Sequence, residues 1–158
     1  VLVGFAQGDP CCPYVLGMLW NGRNKPPETN EDGKNHRRLV RSRSGHSIAF
    51  NDEPGKASLE IVSSSGHIVR LTDERGREKI ELVDKTGENS VVLDSVGKSI
   101  KMTAANSITL SAPKGTIKLE SQQLALNASA TVIVKAGGDL LVESSSLTNI
   151  KGSMVNIN

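Results

Sequence analysis

The fold turns on one stretch: Ile100-Lys101-Met102-Thr103-Ala104-Ala105-Asn106-Ser107-Ile108-Thr109-Leu110-Ser111-Ala112-Pro113-Lys114-Gly115-Thr116-Ile117-Lys118-Leu119. Three triplets of the form apolar-x-apolar stand in it, with short spacers of small and polar residues between them. In each triplet the outer pair points to one side of an extended chain. The middle residue (Lys101, Thr109 or Lys118) points to the other, as the two-residue period of a strand requires. Triplets continue to the end of the sequence, starting at Ile100, Ile108, Ile117, Leu124, Val132, Leu140, Leu147 and Val155. Successive starts lie seven to nine positions apart, with eight the commonest step. The second members are Met102, Leu110, Leu119, Leu126, Val134, Val142, Asn149 and Ile157. Only Asn149 is polar, and Ile150 stands beside it. Such a period marks a repeat architecture.

Upstream the period is longer. Gly45, Gly55, Gly66, Gly76, Gly87 and Gly97 recur at alternating steps of ten and eleven. Between them lie β-type runs: Leu59-x-Ile61, Ile68-Val69-x-Leu71, Ile80-x-Leu82 and Val91-Val92-Leu93. Asp73-Glu74-Arg75-Gly76 and Asp84-Lys85-Thr86-Gly87 read as turns. Further upstream, Val1-Leu2-Val3-Gly4-Phe5 and Tyr14-Val15-Leu16-Gly17-Met18-Leu19-Trp20 read as two strands joined at Gly8-Asp9-Pro10. Gly4 and Gly17 within them imply bends or close backbone approach. The stretch 22–38 reads as a polar loop.

Composition divides the chain near residue 50. The four aromatics are Phe5, Tyr14, Trp20 and Phe50, and none follows Phe50. Rings supply much of an ordinary core's volume, so the later part can build only a thin core of Ile, Leu, Val and Met. A strand with two inward side chains cannot bury them alone; its neighbours must close the core. A single-chain β-helix over 100–157 would complete under three turns. Three identical chains wound about one axis would enclose a narrow apolar prism. A β-sandwich of short strands is the ordinary alternative, but the regular step and the missing rings favour the trimer. Its core would include Ile80, Leu82, Ile100, Met102, Ile108, Leu110, Ile117, Leu119, Leu124, Leu126, Val132, Val134, Leu140 and Val142. About ten strands from Ile80 to Ile157 would make a shaft of roughly 50 Å.

Several function classes lose support. Nineteen basic against seventeen acidic residues give a net charge of +2, which argues against a nucleic-acid binder. Cys11 and Cys12 are adjacent, which suits neither a disulfide framework nor a zinc site; they read as small buried or half-buried fillers in a turn. No apolar run reaches the length of a membrane span. The first residues lack the marks of a signal peptide and read as a longer chain cut within a strand. Ser44, His46 and Asp52 contain the letters of a triad but no nucleophile elbow, so they read as junction residues making turn and inter-subunit hydrogen bonds. His36-Arg37-Arg38, Arg41 and Arg43 could hold phosphate; a solvated face, or inter-chain ion pairs with Asp52 and Glu53, is favoured. His36, His46 and His67 are too scattered to make a metal site.

Phe5-x-x-Gly8-Asp9-Pro10-x-x-Pro13-Tyr14-Val15-Leu16-Gly17-x-Leu19-Trp20-Asn21-Gly22 resembles the end of the oligonucleotide/oligosaccharide-binding (OB) barrel of central spike proteins. These serve contractile-tailed phages, type VI secretion (the VgrG proteins) and extracellular injection particles. Arg41-Ser42-Arg43-Ser44-Gly45-His46-x-Ile48-x-Phe50-x-Asp52 resembles the junction where that barrel enters a triple-stranded β-helix. The resemblance implies an all-β chain: the C-terminal part of an OB-type barrel over 1–50, then an intertwined homotrimeric triple-stranded β-helix, or β-prism, over 51–158. The family's upstream barrel strands and larger N-terminal domains are missing, so the chain reads as a fragment or tail of a longer protein. A lysozyme-like insertion and a His-x-His iron site at the tip, found in some phage spikes, are also missing.

The resemblance further implies a non-enzymatic spike without cofactor. It would be assembled in the cytoplasm, carried on a virion, an extracellular particle or a secretion machine, seated on a baseplate hub and inner tube, and driven briefly into a target envelope. A PAAR-type tip protein would bind Val155, Asn156, Ile157 and Asn158, whose apolar members stand in a strand without a polar cap. The alternatives are a peripheral tail fibre or receptor- or polysaccharide-binding β-helix, or a glycan lyase. From Ile100 on, the only acids are Glu120, Asp139 and Glu143. No ring is available there to stack on sugar, which counts against sugar binding and against cleavage.

Overall fold

A computed structural model describes residues 1–17, 23 and 25–157. The chain is all-β, with antiparallel sheets. Strands β1 (Leu2–Phe5) and β2 (Pro13–Gly17) form a hairpin whose register shifts between Leu2 and Val3. The connection carries a 3-10 turn at Ala6–Gly8, then Asp9, whose carbonyl accepts from Cys12 N–H at 3.1 Å. Gly4 is there for space: a Cβ on it would lie 2.9 Å from the Tyr14 ring. Among the described residues Gly17 meets nothing within 4 Å. The end of the second apolar run, Met18 to Trp20, lies outside the described residues.

Seven strands then form one meander: β3 (Arg37–Arg41), β4 (Ser47–Asn51), β5 (Ser58–Val62), β6 (Ile68–Thr72), β7 (Lys79–Val83), β8 (Ser90–Asp94) and β9 (Ser99–Thr103). Sheet order equals chain order, so every neighbour is a hairpin partner. The glycine period of ten and eleven is the spacing of these hairpins. Gly45, Gly55, Gly66, Gly76 and Gly87 all have positive φ, between +77° and +98°, where a Cβ is costly. At 97 the pattern slips: the left-handed residue is Lys98, with φ +49°, and not Gly97.

The register sorts side chains onto two faces, since directly paired residues share a face. Ile48 pairs with Ile61, Phe50 with Leu59, Leu59 with Leu71, Ile61 with Val69, Leu71 with Ile80 and Val69 with Leu82. Further along, Ile80 pairs with Leu93, Leu82 with Val91, Val91 with Met102 and Leu93 with Ile100. One face is therefore apolar from Val40 to Met102, interrupted only by Arg38. The other carries Leu39, Ala49, Glu60, Arg70, Glu81, Val92 and Lys101 along its middle, charged at its centre and mixed towards its edges. There Arg70 lies 2.5 Å from Glu60 and 3.7 Å from Glu81, and Lys79 lies 3.0 Å from Glu81.

No strand is formed over 104–157, so only three of the ten strands expected from Ile80 onward are present, β7 to β9. A strand needs a hydrogen-bonding neighbour, and the single chain supplies none once the glycine-turned meander ends. Residues divide into two compact units, Val1–Leu110 and Ser111–Asn158.

Candidate assembly interface

A sheet with one apolar face must bury it against another layer. Here no second layer covers it. Among the described residues none is buried, polar or apolar. Ile80, Leu82, Ile100 and Met102 all stand on the apolar face, 40, 45, 69 and 55 % exposed. The chain exposes 14328 Å², whereas a folded monomer of 16.8 kDa exposes about 7,600 Å². The excess is several times the roughly 800 Å² that a standard interface takes from each partner. Ile108 and Leu110, at the end of the first unit, are exposed. So are Ile117, Leu119, Leu124, Leu126, Val132, Val134, Leu140 and Val142 in the second. Of the tip residues, Val155, Asn156 and Ile157 are exposed. Asn158 lies outside the described residues.

Along one side of the sheet the turns are tied into a ladder. Ser42 and Ser63 each start a turn closed by glycine, and their hydroxyls accept from His46 N–H at 3.0 Å and His67 N–H at 2.9 Å. Each imidazole then reaches the next turn. His46 Nδ1 accepts from Ser64 N–H at 3.1 Å, and His67 Nδ1 accepts from Lys85 N–H at 3.2 Å. In the third turn Asp84 replaces the serine and Asn89 the histidine, with one residue inserted; Asn89 Oδ1 accepts from Ala105 N–H at 3.1 Å. The Asn89 amide and the Thr86 hydroxyl both donate to Asp84 and hold its carboxyl down at about 2. The sequence reading missed this ladder. Its signal is plain once sought: Ser-x-Ser-Gly-His occurs at 42–46 and again at 63–67.

The candidate chemical groups are not brought together. Ser44 Oγ lies 3.2 Å from Ser42 Oγ, while His46 engages Ser64. Asp52 lies past the far end of β4, about 20 Å from His46 at the usual strand rise, and is paired with Arg38. Within the chain Arg38 pairs with Asp52, Arg37 with Glu28 at 3.4 Å and Glu53 with Lys56 at 2.8 Å. The last contact holds the Glu53 carboxyl below, and the Lys56 ammonium above, their ordinary ranges. Arg38 sits beside Asp52 because hairpin register places β3 next to the turn after β4.

Cys11 and Cys12 are free and exposed, which corrects their reading as buried or half-buried fillers; a two-stranded hairpin has no interior to put them in. Among the described residues no group of three His, Cys, Asp or Glu could hold a metal ion, and no helix is long and apolar enough to cross a membrane. Neither a protein-family model nor a curated protein matches this chain.

Proposed function

We propose that three copies of this chain close their apolar sheet faces on one another and form a rigid, non-enzymatic spike. A contracting sheath would drive it through a target cell envelope. One observation carries this reading. Thirteen apolar side chains share one face of a seven-stranded sheet, and none is buried, in a chain with nearly twice the surface of a folded monomer. Three such faces turned inward enclose a narrow aliphatic axis, and past residue 50 no aromatic ring widens it. Glu60, Arg70 and Glu81 then face solvent as a charged outer wall. Stiffness is the working property: closed, hydrogen-bonded walls offer few edges to peel.

In this reading β1 and β2 are the end of an OB-type barrel at the base, seated on the baseplate hub and inner tube. The triplets from Ile100 to Ile157 form the triple-stranded β-helix of the shaft. Exposed Val155 and Ile157, with Asn156 and Asn158, receive a PAAR-type tip protein, a partner taken from the resemblance. The spike assembles in the cytoplasm and acts on a virion, an extracellular particle or a secretion machine. Sedimentation of the full chain tests the core of the proposal. A trimer has three times the chain mass, and a folded species at the single-chain mass of 16.8 kDa overturns it. Labelling in particle images separates a spike, on the tube axis, from a fibre at the periphery.

A further inference from the structure

Each imidazole of the turn ladder is fixed by its own backbone before it reaches the next turn. His46 N–H donates to Ser42 Oγ, and its carbonyl accepts from Ser42 N–H at 2.8 Å. His67 repeats the arrangement on Ser63, its carbonyl accepting at 2.9 Å. A ring held in this way has one variable left, the protons on its nitrogens. Nδ1 accepts from Ser64 N–H in one ring and from Lys85 N–H in the other. The single ring hydrogen of the neutral form therefore sits on Nε2. An imidazolium carries hydrogen on both nitrogens and would set N–H against N–H. The third link is of another kind. Asn89 Oδ1, which accepts from Ala105 N–H, is an amide oxygen with no such proton to gain. The Asp84 carboxyl that holds Asn89 stays ionised down to about 2.

The surroundings offer a charged ring no anchor. Around His46, its own turn carries Arg43, and the end of β3 carries Arg41, paired in register with Ser47. The turn it reaches, 63–66, carries no charged side chain. The cavity that His46 lines is otherwise closed by serines and by Val40, Ile48, Ile61 and Val62. Beside His67 the ends of β5 and β7 are Val62 and Val83. The turn it reaches, 84–89, carries Asp84, Lys85 and Glu88, and Asp84 is taken by Thr86 and Asn89. Among the described residues no carboxylate pairs with either ring. Both histidines are exposed, so protons reach them from solvent.

We propose that His46 and His67 make this ladder an acid-released clasp. With neutral rings each turn is pinned to the next. With imidazolium rings the turns at 42–46, 63–67 and 84–89 come apart from one another, and only the link from Asn89 to Ala105 stays. Histidine changes charge between about pH 5 and 8, so mild acid loosens one side of the sheet and leaves its strand ladders in place. This goes beyond the spike reading and does not rest on it, because every bond concerned lies within one chain.

Hydrogen exchange of the full chain tests this, with rates corrected for the intrinsic pH dependence of amide exchange. It is measured at about pH 7.5 and about pH 5, towards the two ends of the range in which histidine titrates. Protection of the Ser64 and Lys85 amides is expected to fall ~10-fold in acid, while that of Ala105 changes less than ~2-fold. Equal change at all three amides, or none at Ser64 and Lys85, overturns the proposal. The paired substitutions His46→Asn and His67→Asn supply an acceptor that does not titrate, and the loss in acid should disappear. A loss that persists in that variant overturns the assignment to the two rings. Should the variant fail to fold, nitrogen chemical shifts of the histidine rings in the unaltered protein decide. Hydrogen on Nε2 alone at neutral pH, with both rings charging as protection is lost, supports the clasp; hydrogen on Nδ1 at neutral pH overturns it.

Discussion

His46 Nδ1 accepts the backbone N–H of Ser64, one turn further along the sheet. The same bond recurs from His67 to Lys85, and Asn89 makes its amide version to Ala105. Each side chain acts as a rivet between successive turns, so stacked hairpins are held by their ends as well as by their ladders. The acceptor must be unprotonated at Nδ1, so an amide oxygen is an equivalent part.

That equivalence predicts the outcome of substitution at His67. His67→Asn should preserve the bond, as Asn89 does, and leave thermal unfolding of the assembled protein within a degree or two. His67→Ala should remove it, leave the Lys85 N–H to water and cost about 1 kcal/mol per chain. Equal damage from both, measured by calorimetry, would mean that the imidazole works through its shape and not through Nδ1.

Asp84 makes the third turn sensitive to acid. Its carboxyl is held at about 2 against an ordinary 3.8, because Asn89 and Thr86 donate to the ionised form. A depressed folded value contributes stability above the unfolded value and loses it as pH falls through the folded one. The stability difference between wild type and Asp84→Asn should therefore be constant above pH ~5 and shrink between pH ~4 and ~2. A difference that stays flat across this window in acid titrations would contradict the assignment.

Turn geometry predicts opposite signs for two exchanges. Gly66 has φ +98°, and a Cβ there would sit 3.6 Å from Lys85 Cβ, which is ordinary contact. The cost of Gly66→Ala is therefore in the backbone, about 1–2 kcal/mol. Lys98 already occupies a left-handed position at φ +49°. Lys98→Gly should relieve that strain and stabilise, by up to ~1 kcal/mol. Thermal melts in which Lys98→Gly destabilises as much as Gly66→Ala would place Lys98 elsewhere in conformational space.

The two faces should tolerate charge very differently. Leu82→Asp puts a carboxylate on the apolar face in every copy, a burial that costs several kcal/mol unless neutralised. Assembly should collapse, with the sedimenting species lost or aggregated. Lys101→Gln, on the other face of the same sheet, should stay within ~0.5 kcal/mol. If both variants sediment as wild type does, the apolar face is not an interface.

The sequence by itself determined the all-β class, the hairpin at the start, the turns at Gly76 and Gly87, and the apolar side of the strands at Leu59-x-Ile61, Ile80-x-Leu82 and Ile100-x-Met102. These follow from local chemistry. Glycine at positive φ, the two-residue side-chain period and the absence of rings act within a few residues of one another. Which strand lies beside which was decided only in the tertiary structure, because pairing joins residues that spacing alone does not connect. Ile80, Leu82, Ile100 and Met102 were legible as one apolar set; that they stand on a meander formed within a single chain was not. The rivets from His46 and His67 were hidden for the same reason, since an acceptor and a donor so distant along the chain meet only when two turns stack. The meander stops where no residue from Ala104 to Ser107 takes a positive φ.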